Sequence, residues 1–142
     1  MKVVNLLRNA LISAALVVAV PAVAETAVIV SAGNGNAAID ADTISRIFLG
    51  KTSSFPDGSP AVPVDQSEGS DVRNDFTEKV LGKNASQLKA YWSRLIFTGK
   101  GTPPKEVGNN AAVKSLISAN PNMIGYIDSS AVDDTVKVVY SY

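Results

Sequence analysis

Residues 63–76 read Pro-Val-Asp-Gln-Ser-Glu-Gly-Ser-Asp-Val-Arg-Asn-Asp-Phe. An apolar run from Ala61 to Val64 stops at a Gly/Ser turn, after which Val72, Phe76 and Val80 recur every fourth residue. A β-strand repeats every two residues and a helix every 3.6, so the stretch reads as strand, turn, helix. Pro63 has no N–H to give to a ladder, which places this second strand at an edge or an irregular position. Ser70 stands where a helix N-cap is expected and Gly82 where the helix should stop.

Upstream of that unit, Thr26 to Ser31 (TAVIVS) is apolar and β-branched without alternation, the pattern of a strand buried on both faces. Ala32 to Asn36 follows as a loop whose two Gly and two Asn tolerate positive φ. Asp42 is placed to cap a helix carrying Ile44, Ile47 and Phe48 inward, with Gly50 as its end. Downstream, Asn84 and Gln87 form a capping-box pair ahead of Leu88, Tyr91, Trp92, Leu95 and Ile96, an apolar stripe at helical spacing. Thr98 to Val107 reads as a loop. Asn109 or Asn110 caps a fourth helix with Val113, Leu116 and Ile117 inward, and Pro121 closes it. Ile124 to Ile127 is a strand. Thr135 to Tyr140 is the last, with Val136, Val138 and Tyr140 expected on one face. Four strands among four helices predict an α/β fold with a mixed or parallel sheet flanked by helices.

The first 24 residues read differently from the rest. Lys2 and Arg8 precede the apolar run Ala10–Val20, and Ala22-Val23-Ala24 is a small-residue cleavage signal. The run is shorter than the ~20 residues a membrane crossing requires. Residues 1–24 are therefore expected to be a cleaved secretory signal peptide and 25–142 a single domain, which places the mature protein in the periplasm. Cleavage removes two of the 13 basic residues and none of the 13 acidic ones, leaving 11 against 13.

Composition narrows the chemistry. The chain has no Cys and no His. That excludes disulfides, thiol nucleophiles, Cys/His zinc sites and imidazole proton relays. The near-balanced charge is unlike the basic surface of a nucleic-acid binder. Adjacent acids such as Asp133-Asp134 come without a nucleophile and its base. The expectation is a binding protein, not an enzyme, with no metal or cofactor.

The turn before the second helix is the first candidate site. The leading N–H groups of a helix lack intrahelical partners, and the macrodipole adds roughly half a positive charge there, so the position suits an anion. Ser67 and Ser70 offer hydroxyls and Arg73 a cation; the same pattern also serves a helix that is merely capped. Asp71 in the first turn opposes an anion. The dipole contributes about 0.3–1 kcal/mol at exposed sites. A like charge ~4 Å away costs about 1 kcal/mol in water and ~4 at an effective dielectric of 20. Other candidates are the Thr98–Lys105 loop around Gly99-Lys100-Gly101, the Tyr91-Trp92 pair as a stacking platform, and the Ala32–Asn36 loop.

Four ordered stretches resemble the phosphate-binding proteins of bacterial ABC importers, which are type 2 periplasmic solute-binding proteins. They are Ile47-Phe48-Leu49-Gly50-Lys51; Pro63-Val64-Asp65 leading to Gly69-Ser70, Arg73 and Phe76; Tyr91-Trp92 with Phe97-Thr98-Gly99-Lys100-Gly101; and Asn120 to Ile127, which contains Ile124-Gly125-Tyr126. The likeness is strongest to short, stand-alone members. It implies one lobe of a two-lobed fold, with ligand at the second helix's N-terminus. The family's phosphate loop is R-x-x-x-S-G-T; here Gln66 stands at the Arg, Ser70 at the Ser, and Asp71-Val72 at Gly-Thr. The expected ligand residues are thus Gln66, Ser67, Gly69, Ser70 and Arg73, and the expected ligand is phosphate or another small anion, held weakly. A second copy of the chain, or a periplasmic or membrane partner protein, would supply the missing wall. The alternative is a periplasmic interaction module that has lost solute binding.

Overall fold

A computed structural model describes residues 25–142 together with Ala15. The expected signal peptide and its cleavage point lie outside the described residues. The elements run β1 (Thr26–Ser31), α1 (Ala41–Phe48), β2 (Val62–Asp65), α2 (Asp71–Lys79), α3 (Ala85–Phe97), β3 (Lys105–Glu106), α4 (Asn110–Ser118), β4 (Met123–Asp128) and β5 (Val136–Ser141). They form one mixed sheet in the order β3-β2-β4-β1-β5. β2 runs parallel to β3 and β4, while β1 is antiparallel to β4 and β5.

β1 explains the layering. All six of its residues are buried, as its unbroken apolar run requires. Val28 and Val30 point to one face and pack with Ile44, Ile47 and Phe48 of α1 and Phe76 of α2. Ala27 and Ile29 point to the other, against Val113 and Ile117 of α4. Helices thus cover both faces of the sheet, and α3 sits further out, where Leu88 and Trp92 pack on Leu49.

Several local expectations change. The cap of α1 is Asp40, whose carboxylate accepts from Thr43 N–H at 2.8 Å, and Asp42 falls inside the first turn. The Asn84/Gln87 capping box forms as read, and Asn109 is the cap of α4. β3 is a strand that sequence pattern did not reveal, because two residues carry no periodicity. It pairs only with Val64 and Asp65, so Pro63, which faces Ile124 on the other side, sits where β2 has no outer neighbour. In β5 the alternation breaks. Val28 pairs with Tyr140 and Ile29 with Val138, leaving Val139 as the extra residue of a bulge; Val139 is buried and Val138 is 38% exposed. Gly33 and Gly35 are not among the positive-φ glycines, so the Ala32–Asn36 loop does not use that freedom.

Candidate functional site

β2 delivers the chain to the α2 turn, and a ring in the core sets the geometry there. Tyr126 of β4 stacks on Phe76 with centroids 4.0 Å apart and planes 8° from parallel, which buries the ring. Its hydroxyl emerges beside the end of β2, donates to Asp65 Oδ1 at 2.5 Å and accepts from Gln66 N–H at 3.3 Å. Asp65 is buried, and burial raises its pKa above the ordinary carboxylate range, against the opposing pull of the Tyr126 hydrogen bond and the Arg73 charge. The Tyr126 hydroxyl is pushed upward as well, first by burial and then by the neighbouring Asp65 charge.

The five expected ligand residues have different fates. Gln66 is 2% exposed, and its amide is turned inward: Nε2 donates to Asn110 Oδ1 at 2.7 Å and to Tyr126 O at 3.0 Å. Ser70 caps α2, accepting from Arg73 N–H at 3.1 Å, and its hydroxyl lies 3.4 Å from Gln66 Oε1. Arg73 folds back over the turn; Nη1 donates to Gln66 O at 2.9 Å and to Glu106 Oε2 at 3.2 Å, and Nη2 lies 3.9 Å from Asp65 Oδ2. Gln66, Ser70 and Arg73 are therefore joined directly. Ser67 and Gly69 are exposed in the turn between them, where Gly69 takes φ 85°. Ser67 N–H is already given to Gly108 O, and Glu68 N–H to Glu106 Oε1.

Beside the turn, α2, α3 and the Pro103-Pro104 segment enclose a cleft of about 480 Å³. Asp65, Glu68, Arg73 and Glu106 line one end, and Leu88, Trp92 and Ile96 form an apolar wall. Of the Thr98–Lys105 loop only the two prolines reach it. Tyr91 does not act as a platform: its hydroxyl donates to Leu49 O at 2.6 Å and its ring meets Trp92 edge-on. The Ala32–Asn36 loop is braced internally, with Asn34 bonded to Pro121 O and to Asn36. Asp133 pairs with Lys114 at 2.9 Å and bonds Thr135, which hold its pKa down at about 2.

Sequence reasoning missed Glu106, Asn110 and the Asp65–Tyr126 pair as parts of the site. Asp65 and Tyr126 each lay inside a quoted motif, and the signal available was a carboxylate at a strand end. Glu106 carried none, because it reaches Arg73 only through the β2–β3 pairing.

Known structures resemble this arrangement. A phosphate ABC transporter substrate-binding protein from Clostridium perfringens, solved with bound phosphate, matches 82% of the chain at 27% identity and a TM-score of 0.64. The chain is similar to these substrate-binding proteins. It covers 45% of that protein's length, so the likeness concerns about half of it. An ABC-type phosphate transport receptor from Vibrio cholerae shares the fold at 18% identity and a TM-score of 0.63, with 82% of this chain and 46% of that one covered. The PstS protein from Borrelia burgdorferi does so at 14% and 0.59, with 82% and 47% covered. No protein-family model matches the sequence, and neither does any curated protein. The fold is one lobe of the substrate-binding-protein architecture, as the four motifs implied.

Proposed function

We propose that this chain is an exported, periplasmic, non-enzymatic solute-binding lobe that offers its α2 turn to phosphate or a similar small oxyanion, in transport or sensing. The observation that carries the reading is the likeness to a substrate-binding protein solved with phosphate. Exposed Ser67 and Gly69, the Ser70 cap and Arg73 are the residues assigned to it, while Gln66, whose amide is turned inward, supports the turn from beneath. Binding is weak for a reason visible in the charges. Arg73 is the cation of the turn and is already engaged by Glu106, while Asp65, Glu68 and Asp71 add negative charge nearby. Each like charge at contact distance costs about as much as the helix dipole returns, or more. A dissociation constant of about 1 mM, near −4 kcal/mol, is expected for such an open wall. Phosphate titration followed by backbone amide shifts tests this: Ser67, Gly69, Ser70 and Arg73 should move together. No movement at about ten times that concentration refutes the ligand assignment.

A second reading is favoured by one feature, Phe97 at the end of α3, which is 92% exposed beside Ile96 at 55%. Large exposed apolar side chains grouped together mark interaction surfaces. On this reading the lobe is a periplasmic interaction module that docks a partner protein or a second copy without solute. Capture from periplasmic extract that ignores phosphate and is lost in Phe97→Asp selects it; phosphate-dependent capture selects the first reading.

A further inference from the structure

The cleft between α2 and α3 has a charge pattern that the α2 turn leaves unused. At its inner end Asp65, Arg73 and Glu106 are spent on one another. Two rim side chains are not. Glu68 precedes α2 and Lys89 lies on the second turn of α3, and neither enters an ion pair among the described residues. One unmatched acid and one unmatched base therefore border an apolar wall that includes Ile96 and Pro103.

Size and sign both bear on what fits. The volume of about 480 Å³ lies within the range of roughly 300–1,000 Å³ typical of organic-ligand sites, far more than one tetrahedral oxyanion fills. A ligand of a single sign would satisfy one rim charge and repel or ignore the other. A ligand with opposite charges at its two ends satisfies both and covers the apolar wall with what lies between them.

We propose that the α2–α3 cleft binds a dipolar organic solute, a short peptide whose ammonium meets Glu68, whose carboxylate meets Lys89, and whose apolar side chains lie along Ile96 and Pro103. The inference goes beyond the phosphate reading and shares with it only the solute-binding role.

Titrating the purified protein with the dipeptide Leu-Leu, read by amide shifts, tests it. Saturable shifts are expected at Glu68, Lys89, Ser93 and Ile96. Glu68→Lys and Lys89→Glu should each weaken binding by about tenfold, and the double reversal should regain it, since it presents the same two charges exchanged. Absence of shifts at about 10 mM, equal binding of the capped N-acetyl-Leu-Leu-amide, or shifts that follow protein concentration alone each overturn the proposal. A parallel titration with inorganic phosphate keeps the readings apart. Shifts confined to Ser67–Arg73 with phosphate, and none with Leu-Leu, leave the oxyanion reading standing and remove this one; the opposite pattern does the reverse.

Discussion

Two sides of the molecule are packed to different standards. On one, α4 lies so near β4 that a Cβ added at Gly125 would come within 2.5 Å of Ile117 Cδ1, 2.9 Å of Val113 and 3.0 Å of Val64. On the other, α3 lies outside the layer of α1 and α2, where its buried Leu88 and Trp92 rest on Leu49, and a cleft is left between it and α2. Close packing yields stability and permits little change. Room between helices yields less stability and a surface that can receive something. The difference leaves the α2–α3 side as the one with room for the solutes proposed above.

The largest effect should come from violating the tight side. Gly125→Ala is expected to cost about 1–3 kcal/mol through overpacking, lowering the melting midpoint by about 4 °C per kcal/mol. Ile117→Val in the same chain should recover part of that loss, and a thermal melt of both variants checks it. If Gly125→Ala were neutral, the close approach of α4 would be wrong.

The boundary between the two sides should respond next. Tyr126→Phe keeps the stacked ring but leaves Asp65 Oδ1 and Gln66 N–H without their shared partner. Leaving a buried polar group unpaired costs about 1–3 kcal/mol, measurable by urea denaturation. Asn84→Ala, which removes the capping box of the loosely held α3, should cost about 1 kcal/mol. Phe97→Ser, at an exposed tip, should change stability by less than about 0.5 kcal/mol and matter only to binding.

The smallest and most diagnostic effect is on pH dependence. Asp65 has its pKa raised in the folded state, so the folded chain holds the proton more tightly than the unfolded chain. Its contribution is fully present below the ordinary value of 3.8 and is lost as pH rises through the folded value. Asp133 has the opposite sign: lowered from 3.8 to about 2, it stabilises above 3.8 and that stabilisation disappears as pH falls towards 2. Asp65→Asn should therefore flatten a decline of stability with rising pH just above 3.8, whereas Asp133→Asn should flatten an acid-side loss. Denaturation series across acidic pH on both variants compare the two. Identical profiles would mean Asp65 is solvated after all.

Much of this architecture was legible in the residues. The unbroken run Thr26–Ser31 read as a strand covered on both faces, and the Asn84/Gln87 pair read as the opening of a helix; both formed. The Ser70 cap and its turn were legible for the same reason, since a cap is a contact over three residues. Less legible was the direction of Gln66. Its partners, Asn110 and Tyr126, are 44 and 60 positions away, and nothing in the local pattern distinguishes an inward amide from one offered to a ligand. The stripe on α3 ended differently from its periodicity for a related reason: Ile96 has helical spacing to the core, but it is 55% exposed and lines the cleft towards α2.

By itself the sequence determined most of the strands and helices and several of their caps, because propensity, capping and periodicity act over a few residues; the two-residue β3, the Asp40 cap and the β5 bulge escaped it. It also carried the four motifs that resemble those of the substrate-binding proteins. Tertiary structure alone decided that Glu106 would sit on Arg73, that Asp65 would be buried under Tyr126, and that α3 would stand apart from α2. Those outcomes depend on strand order and interhelix distance, and such long-range geometry has no local signature in the chain.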